Sequence, residues 1–323
     1  MLAVYAAAPR PDDPLAALRI GSRPEPEVPA GHVAVTVRAA SLNMHDLWTL
    51  RGVGLSADRF PMILGMDGAG TLDDGSPVVL HSMIRSAGWM GDEALDPGRT
   101  CLSGGYQGTF AERVVVPVAN ALPLPVELTF DEAACLGTAW LTAYRMLFVA
   151  SGLRPGQTIL VQGCSGGVST ALVRLGAAAG FRVVATGRSE AKRALARELG
   201  ACVAVEPGAR LPERVDGVFD SVGRATWPHS VRALVPGGVL VTCGATTGEP
   251  DRTELQHIFI KHLRIVGTTM GTRAELADLV RFCVSTGVRP VVGARLPMTD
   301  AREAFASMRD GDTRGKTVLV PPS

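Results

Sequence analysis

The 323-residue sequence predicts an α/β protein of two domains, one of them a doubly wound parallel sheet. Three observations carry this. The chain exceeds the length at which a single core usually divides. Before about residue 120, short β-branched runs are broken by glycine and proline, which reads as mostly β structure. From Thr158 onward, strand-like and helix-like segments alternate at the spacing of a parallel sheet covered on both faces.

The elements follow in order. MLAVYAAAPRPDDP has no basic lead-in and only a short apolar run, so it reads as a first strand rather than a secretion signal. HVAVTVRAASLN (32–43) and RVVVPVANALPLP (113–125) read as strands broken by turn residues. DEAACLGTAWLTAYRMLFVAS (131–151) has helical spacing. TILVQG (158–163) is a strand, followed by a helix from about Gly167 to Ala179, the strand RVVAT (182–186) and a helix over 190–199. VDGVFDSV (215–222), GVLVTCG (238–244) and LRIVGTT (263–269) complete the strands, with a helix near 228–234 that has Pro228 early in it. The tail holds two amphipathic helices, ELADLVRFCVSTG and DAREAFASMRDG, and a last strand, KTVLVP.

Bulk composition removes several function classes. A formal net charge of +1 argues against a nucleic-acid or membrane-surface partner held mainly through charge. No apolar run reaches the ~18 residues of a spanning helix. The six cysteines are scattered without a Cys-x-x-Cys pair, so neither a disulfide framework nor a zinc knuckle follows. Reduced thiols and a cytoplasmic location are the expectation.

A strand running into a helix through small residues brings backbone N–H groups to a pyrophosphate. Gly163, Ser165, Gly166, Gly167 and Val168 occupy such a junction, with Ser169 where a third glycine usually allows close helix packing. This predicts a dinucleotide site; the alternative is a tight turn with no ligand. NAD sites usually carry an acidic residue at the end of the second strand. Here stand Gly187, Arg188, Ser189 and then Lys192. Glycine would leave room, arginine suits a phosphate and serine adds a hydrogen bond, so NADPH is the expected coenzyme. The alternative is a solvated helix start. Cys243-Gly244-Ala245 and Thr268-Thr269-Met270 end strands of the sheet, where ligands bind, and are expected beside the nicotinamide. Thr138 and Thr142, one helical turn apart, can meet its ribose or amide, or bond their own helix.

Taken together, SLNMHDLWTLRG (41–52), FPMILGMDGAG (60–70), QGTFAE (107–112), EAACLGTAWLTAY (132–144) and GKTVLVP (315–321) resemble the medium-chain dehydrogenase/reductase superfamily. Its quinone-oxidoreductase or enoyl-reductase branch is nearer than its alcohol dehydrogenases. The resemblance implies a GroES-like β-rich catalytic domain, residues 1–122 and 271–323, and a Rossmann NADPH-binding domain, 123–270. A homodimer paired through the edge strand of the nucleotide domain is also implied. Lys316 resembles the family's terminal lysine, expected at a phosphate or in solvent.

In the superfamily's zinc enzymes a cysteine stands where this chain has Asn43, and a His-Glu pair where it has Met66-Asp67. Asparagine and methionine are poor zinc ligands. Only Cys101 falls where a four-cysteine structural lobe would lie. No zinc is expected at either place, a residual set of His45, Asp67 and His81 being the alternative. Without a Lewis acid, hydride delivery to an α,β-unsaturated carbonyl or a quinone is the simpler chemistry. Asn43 is the expected amide donor, His45 the expected proton-relay group and Asp67 an orienting carboxylate. Trp48 and Tyr106 are candidate substrate walls, and loop 82–106 a candidate mobile cover. A carbonyl or alcohol dehydrogenase and a non-catalytic NADPH-binding protein are the rival readings.

Overall fold

The computed structural model describes residues 1–322, which divide into two compact units. Residues 1–139 and 271–322 form the first, and 140–270 the second. The break in the first half of the chain therefore lies at 139/140 rather than the expected 122/123. Residues 123–139 stay with the first unit because the segment bonds into it: Ser41 Oγ donates to the Ala134 carbonyl at 2.8 Å.

The first unit is built on a seven-stranded sheet centred on His32–Ser41. That strand pairs antiparallel with Asp67–Leu72, Arg113–Pro117 and Lys316–Val320, so the last strand of the chain closes onto the early ones. The segment 113–125 is two strands rather than one. A 3-10 turn at Val118–Asn120 follows Pro117, and Ala121–Pro123 then pairs with Pro77–Leu80. Leu2–Ala6 is a strand, paired with Leu18–Ser22 and Met62–Ile63. The helices Met44–Arg51 and Ala301–Asp310 cover a core that includes Leu47, Leu50, Phe110 and Phe305. Phe110 and Phe305 meet edge to face at 6.3 Å, a geometry the aromatic quadrupole favours.

The second unit is a six-stranded parallel sheet. Its spatial order is Val203–Val205, Arg182–Thr186, Thr158–Val161, Val215–Asp220, Leu234–Thr242, Arg264–Gly267. The winding reverses between Thr158–Val161 and Val215–Asp220, the switch point at which such sheets hold ligands. Leu160, Val184, Val218 and Leu240 form the centre of its core. Gly176 lets the helix Gly167–Ala178 approach the sheet: a Cβ there would lie 3.1 Å from Ile159 and Val183 side-chain carbons.

The predicted helix over 131–151 is interrupted. A short α-helix, Phe130–Ala133, gives way to π-helical turns at Leu136–Trp140 and Arg145–Ala150 around an α-helical Leu141–Tyr144. Thr138 and Thr142 are thus less than one turn apart, because a π turn takes more residues than an α turn. Gly137 lies in the first π turn, packed close to other first-unit residues. A Cβ there would stand 2.9 Å from Asp67 Oδ1 and from the Leu80 carbonyl.

Candidate active site

In the first unit, four segments bring polar groups into a buried knot. Asp67 opens the strand Asp67–Leu72 and is fully buried. Its Oδ2 accepts from Lys316 Nζ at 3.2 Å and Asn43 Nδ2 at 2.9 Å, and lies 3.1 Å from Ser41 Oγ. Its Oδ1 faces Ser82 Oγ at 3.4 Å, and that hydroxyl lies 3.3 Å from Thr138 Oγ1. Lys316 is 3% exposed and also donates to Asn43 Oδ1 at 2.6 Å and to the Leu42 carbonyl at 2.8 Å. An ammonium has three protons, so all its donors are committed. The lysine is therefore neither at a phosphate nor in solvent, the two places expected of it from sequence.

Asn43 is placed differently from its expected role. Its two amide protons go to Asp67 and to the Ser41 carbonyl, so neither is left for a substrate oxygen. It caps the helix Met44–Arg51 instead. Asp46, missed in the sequence although it stands three residues after a capping residue, accepts from Asn43 N–H and Gly65 N–H, both at 2.8 Å. Burial pushes its carboxyl up to about 7, against the pull of those two backbone donors.

His45 lies on the same helix, its Nδ1 3.5 Å from Thr49 Oγ1, and burial lowers its pKa. Trp48, one turn on, is half-buried. His81 is buried and its Nε2 donates to the Gly271 carbonyl at 2.9 Å. Among the described residues no three His, Cys, Asp or Glu side chains are grouped to hold a metal ion, so His45, Asp67 and His81 do not form a set. Tyr106 is turned to His32, stacked at 5.8 Å with its hydroxyl 3.3 Å from Nε2. Both line a groove of about 340 Å³ with Arg23, Ile63 and Gln107. Loop 82–106 is not a free cover: its ends pair at Met83–Ile84 and Thr100–Cys101, and buried Asp96 accepts from Ser86 and Gly98.

In the second unit the glycine loop joins Thr158–Val161 to the helix Gly167–Ala178. Gly163 has φ +78, a left-handed conformation that glycine adopts without cost, and its N–H donates inward to Thr186 Oγ1 at 2.9 Å. Gly166 caps the helix without any side chain across its start. Ser169 is buried and bonds back to the Gly166 carbonyl at 3.2 Å, so it packs where a glycine was missing. Gly187 is buried, and the room it leaves is filled by protein: a Cβ there would lie 2.7 Å from Cys164 Sγ and 3.1 Å from Arg193 Cγ. Arg188 and Ser189 are exposed, and Ser189 caps the helix Glu190–Glu198. The adjoining Glu190 pairs with Arg193 and Arg197, and Glu206 on the neighbouring strand's end pairs with Arg193 as well. Cys243 and Gly244 are half-buried and Ala245 exposed at the end of the Leu234–Thr242 strand. Thr268 Oγ1 is buried without a partner, Thr269 is exposed, and Met270 is buried at φ +48.

Comparison with known proteins decides the family. Residues 29–126 match the description "Alcohol dehydrogenase GroES-like domain" and 167–285 match "Zinc-binding dehydrogenase". A crystal structure of an NAD-dependent alcohol dehydrogenase is 31% identical, with a TM-score of 0.92 over 99% of both chains. The chain belongs to the medium-chain dehydrogenase/reductase superfamily. An acryloyl-coenzyme A reductase of Sulfurisphaera tokodaii is 26% identical, covering 92% of this chain and 95% of its own. A quinone oxidoreductase of Pseudomonas aeruginosa is 29% identical, covering 90% and 91%.

The protein is an oxidoreductase of this superfamily, with a small-molecule substrate and a Rossmann domain for a nicotinamide coenzyme. The loop fits that coenzyme. With glycine as the capping residue, no side chain bonds the N–H groups of the helix's first turn, as a pyrophosphate requires. The orphaned Thr268 hydroxyl at a strand's carboxyl end is a polar atom awaiting a partner. Among the described residues no helix is long and apolar enough to cross a membrane.

Proposed function

We propose that this protein is an NADPH-dependent reductase of activated alkenes or quinones that works without zinc. The observation that carries the reading is the Asn43–Asp67–Lys316 knot. An ammonium and an amide are bonded to the carboxylate that would stand at a metal. The preceding side chain, Met66, is a buried thioether. Zinc takes thiolate, imidazole or carboxylate, and the Asp67 carboxylate is already neutralised by Lys316. Relatives named acryloyl-coenzyme A reductase and quinone oxidoreductase support the acceptor class. Exposed Arg188, with no ion-pair partner among the described residues, supports a 2′-phosphate on the coenzyme.

When bound, the reduced nicotinamide supplies a hydride. With an enone, that hydride would go to the β-carbon, the electron pair would move to the carbonyl oxygen, and water would supply the proton at the α-carbon. The protein's part is to orient the acceptor and to hydrogen-bond the oxygen that gains charge. His45 is the group we assign to that oxygen. Its lowered pKa keeps the imidazole neutral, and in the tautomer whose Nδ1 accepts from the Thr49 hydroxyl the ring proton is on Nε2. Trp48 supplies a flat apolar wall. Asn43, Asp67 and Asp46 act at one remove, by fixing the start of the helix that carries His45.

A homodimer fits the second unit's edge. Arg264–Gly267 ends the sheet, and Ile265 is exposed on it. The helix Leu255–Ile260 just before it exposes Leu255, Phe259 and Ile260. Such an edge is a template for pairing with a second copy. Light scattering on the purified protein tests this.

The test of the main reading combines metal analysis with turnover. NADPH oxidation by a simple enone, an enoyl thioester and a quinone is followed before and after dialysis against a chelator. Turnover of at least one acceptor, unchanged by chelation, is expected. One zinc ion per chain together with loss of turnover on its removal would overturn the proposal.

A further inference from the structure

The chemistry above makes no use of His229, yet an unbroken series of hydrogen bonds joins it to the phosphate loop. Gly163 N–H donates to Thr186 Oγ1 at 2.9 Å, and the Thr186 hydroxyl donates to Gln162 Oε1 at 3.0 Å. Gln162 Nε2 lies 2.9 Å from Ser230 Oγ and 3.0 Å from His229 Nδ1. Ser230 Oγ donates to Asp220 Oδ2 at 2.7 Å, and His229 Nε2 stands 3.0 Å from the Ala209 carbonyl.

The direction of every bond is fixed. Asp220 is 1% exposed and receives the Val222 and Gly223 N–H groups and the Thr226 hydroxyl besides Ser230. As a carboxylate it only accepts, so Ser230 must donate to it and can only accept from Gln162. That points the Gln162 N–H₂ group at Ser230 and His229, and its carbonyl oxygen at Thr186. His229 Nδ1 must therefore be an acceptor. The ring proton is on Nε2, where the Ala209 carbonyl receives it. The chain works with neutral His229 and with no other tautomer.

We propose that His229 is a positioning residue for the coenzyme. Its neutral form holds the Gln162 amide in the orientation that keeps Gly163 in place, and its protonation loosens the phosphate loop. The inference rests on the reading that the loop receives a nicotinamide dinucleotide. Protonated His229 puts a second donor 3.0 Å from the Gln162 N–H₂. The amide must then back away or turn over. If it turns, Thr186 loses its acceptor and the Gly163 N–H loses a fixed partner. Burial lowers the His229 pKa below its ordinary 6.5. The charged groups facing it are Asp220 from the adjacent strand and Arg232 from its own helix, and these pull in opposite directions. The loop side presents the Ala209 carbonyl. Free enzyme then takes up a proton in competition with coenzyme. Affinity is level above the His229 pKa and falls as pH drops through it.

The experiment titrates NADP⁺ and NAD⁺ into the full-length protein from pH 5 to 8, for wild type, His229→Gln and Gln162→Met. The 2′-phosphate of NADP⁺ has a proton step of its own, so the comparison is between proteins with the same ligand. Wild-type affinity should fall further than that of His229→Gln once pH drops through the lowered His229 pKa, by up to about tenfold for each pH unit below it. Gln162→Met should bind weakly at pH 7.5 and lack the extra acid fall. In turnover, the coenzyme KM should carry the effect and kcat should not. Parallel pH curves for wild type and His229→Gln would overturn the proposal. If His229→Gln does not fold, an NMR titration of His229 in the wild type replaces it. Bound coenzyme should lower the pKa, and an unchanged pKa overturns the proposal. Stronger binding of NAD⁺ than NADP⁺ at pH 7.5 would sink the Arg188 reading and leave the pH comparison intact.

Discussion

Lys316 Nζ lies 2.6 Å from Asn43 Oδ1, which ties the last strand of the chain to the residue that starts the Met44–Arg51 helix. The same ammonium neutralises Asp67, and both side chains are almost wholly out of solvent. Lys316→Met should leave a buried carboxylate without its counter-charge and cost about 3–5 kcal/mol of stability, as breaking one side of a buried pair does. Lys316→Met with Asp67→Leu should recover most of that loss. Urea unfolding of the single and double variants measures both.

Asp46 should make stability depend on pH in the direction opposite to most carboxylates. Its folded pKa of about 7 lies above the ordinary 3.8, so between those values the native state holds more protons than the unfolded chain. Stability from this group is therefore full below about 4, declines as pH rises, and levels off above about 7. Asp46→Asn should remove that component. The difference between the two unfolding free energies, followed from pH 5 to 8, should change with pH up to about 7 and then stay flat.

Arg188→Ala should narrow the preference for NADPH over NADH. Losing a charge-assisted bond to phosphate costs about 1.5–3 kcal/mol, or roughly 10- to 100-fold in the ratio of kcat/KM values. NADH kinetics should hardly move. An equal loss with both coenzymes would mean that Arg188 serves something other than the 2′-phosphate.

Gly137→Ala tests the close approach between the interrupted helix and Asp67. The added methyl would meet Asp67 Oδ1 and the Leu80 carbonyl at 2.9 Å, and neither is a flexible end. A loss of about 1–3 kcal/mol is expected, the usual cost of overpacking. Because Ser82 and Thr138 adjoin that contact, kcat should fall with it.

Most of the second unit's sheet was legible because its strands are short apolar runs alternating with helical patterns; the edge strand Val203–Val205, only three residues long, was not. RVVAT is the strand Arg182–Thr186, and VDGVFDSV contains Val215–Asp220. The interrupted helix was not legible. Apolar spacing looks alike for α and π turns over a few residues, and Gly137 acquires its meaning only from Asp67, distant in sequence. The glycine loop was readable from local spacing. The neighbours of Asn43 and Lys316 were not, since 273 residues separate the two. Gly187 shows the same limit. The missing side chain was visible, but what fills its space, Cys164, depends on how two strand ends lie together.

The excursion from Met83 to Cys101 leaves and returns through one short antiparallel pair and gathers its interior around a single carboxylate, that of Asp96. Insertions and deletions inside it would not change where the chain re-enters the sheet. It is therefore a natural place to exchange whole segments in the laboratory, leaving the buried lysine–aspartate pair undisturbed.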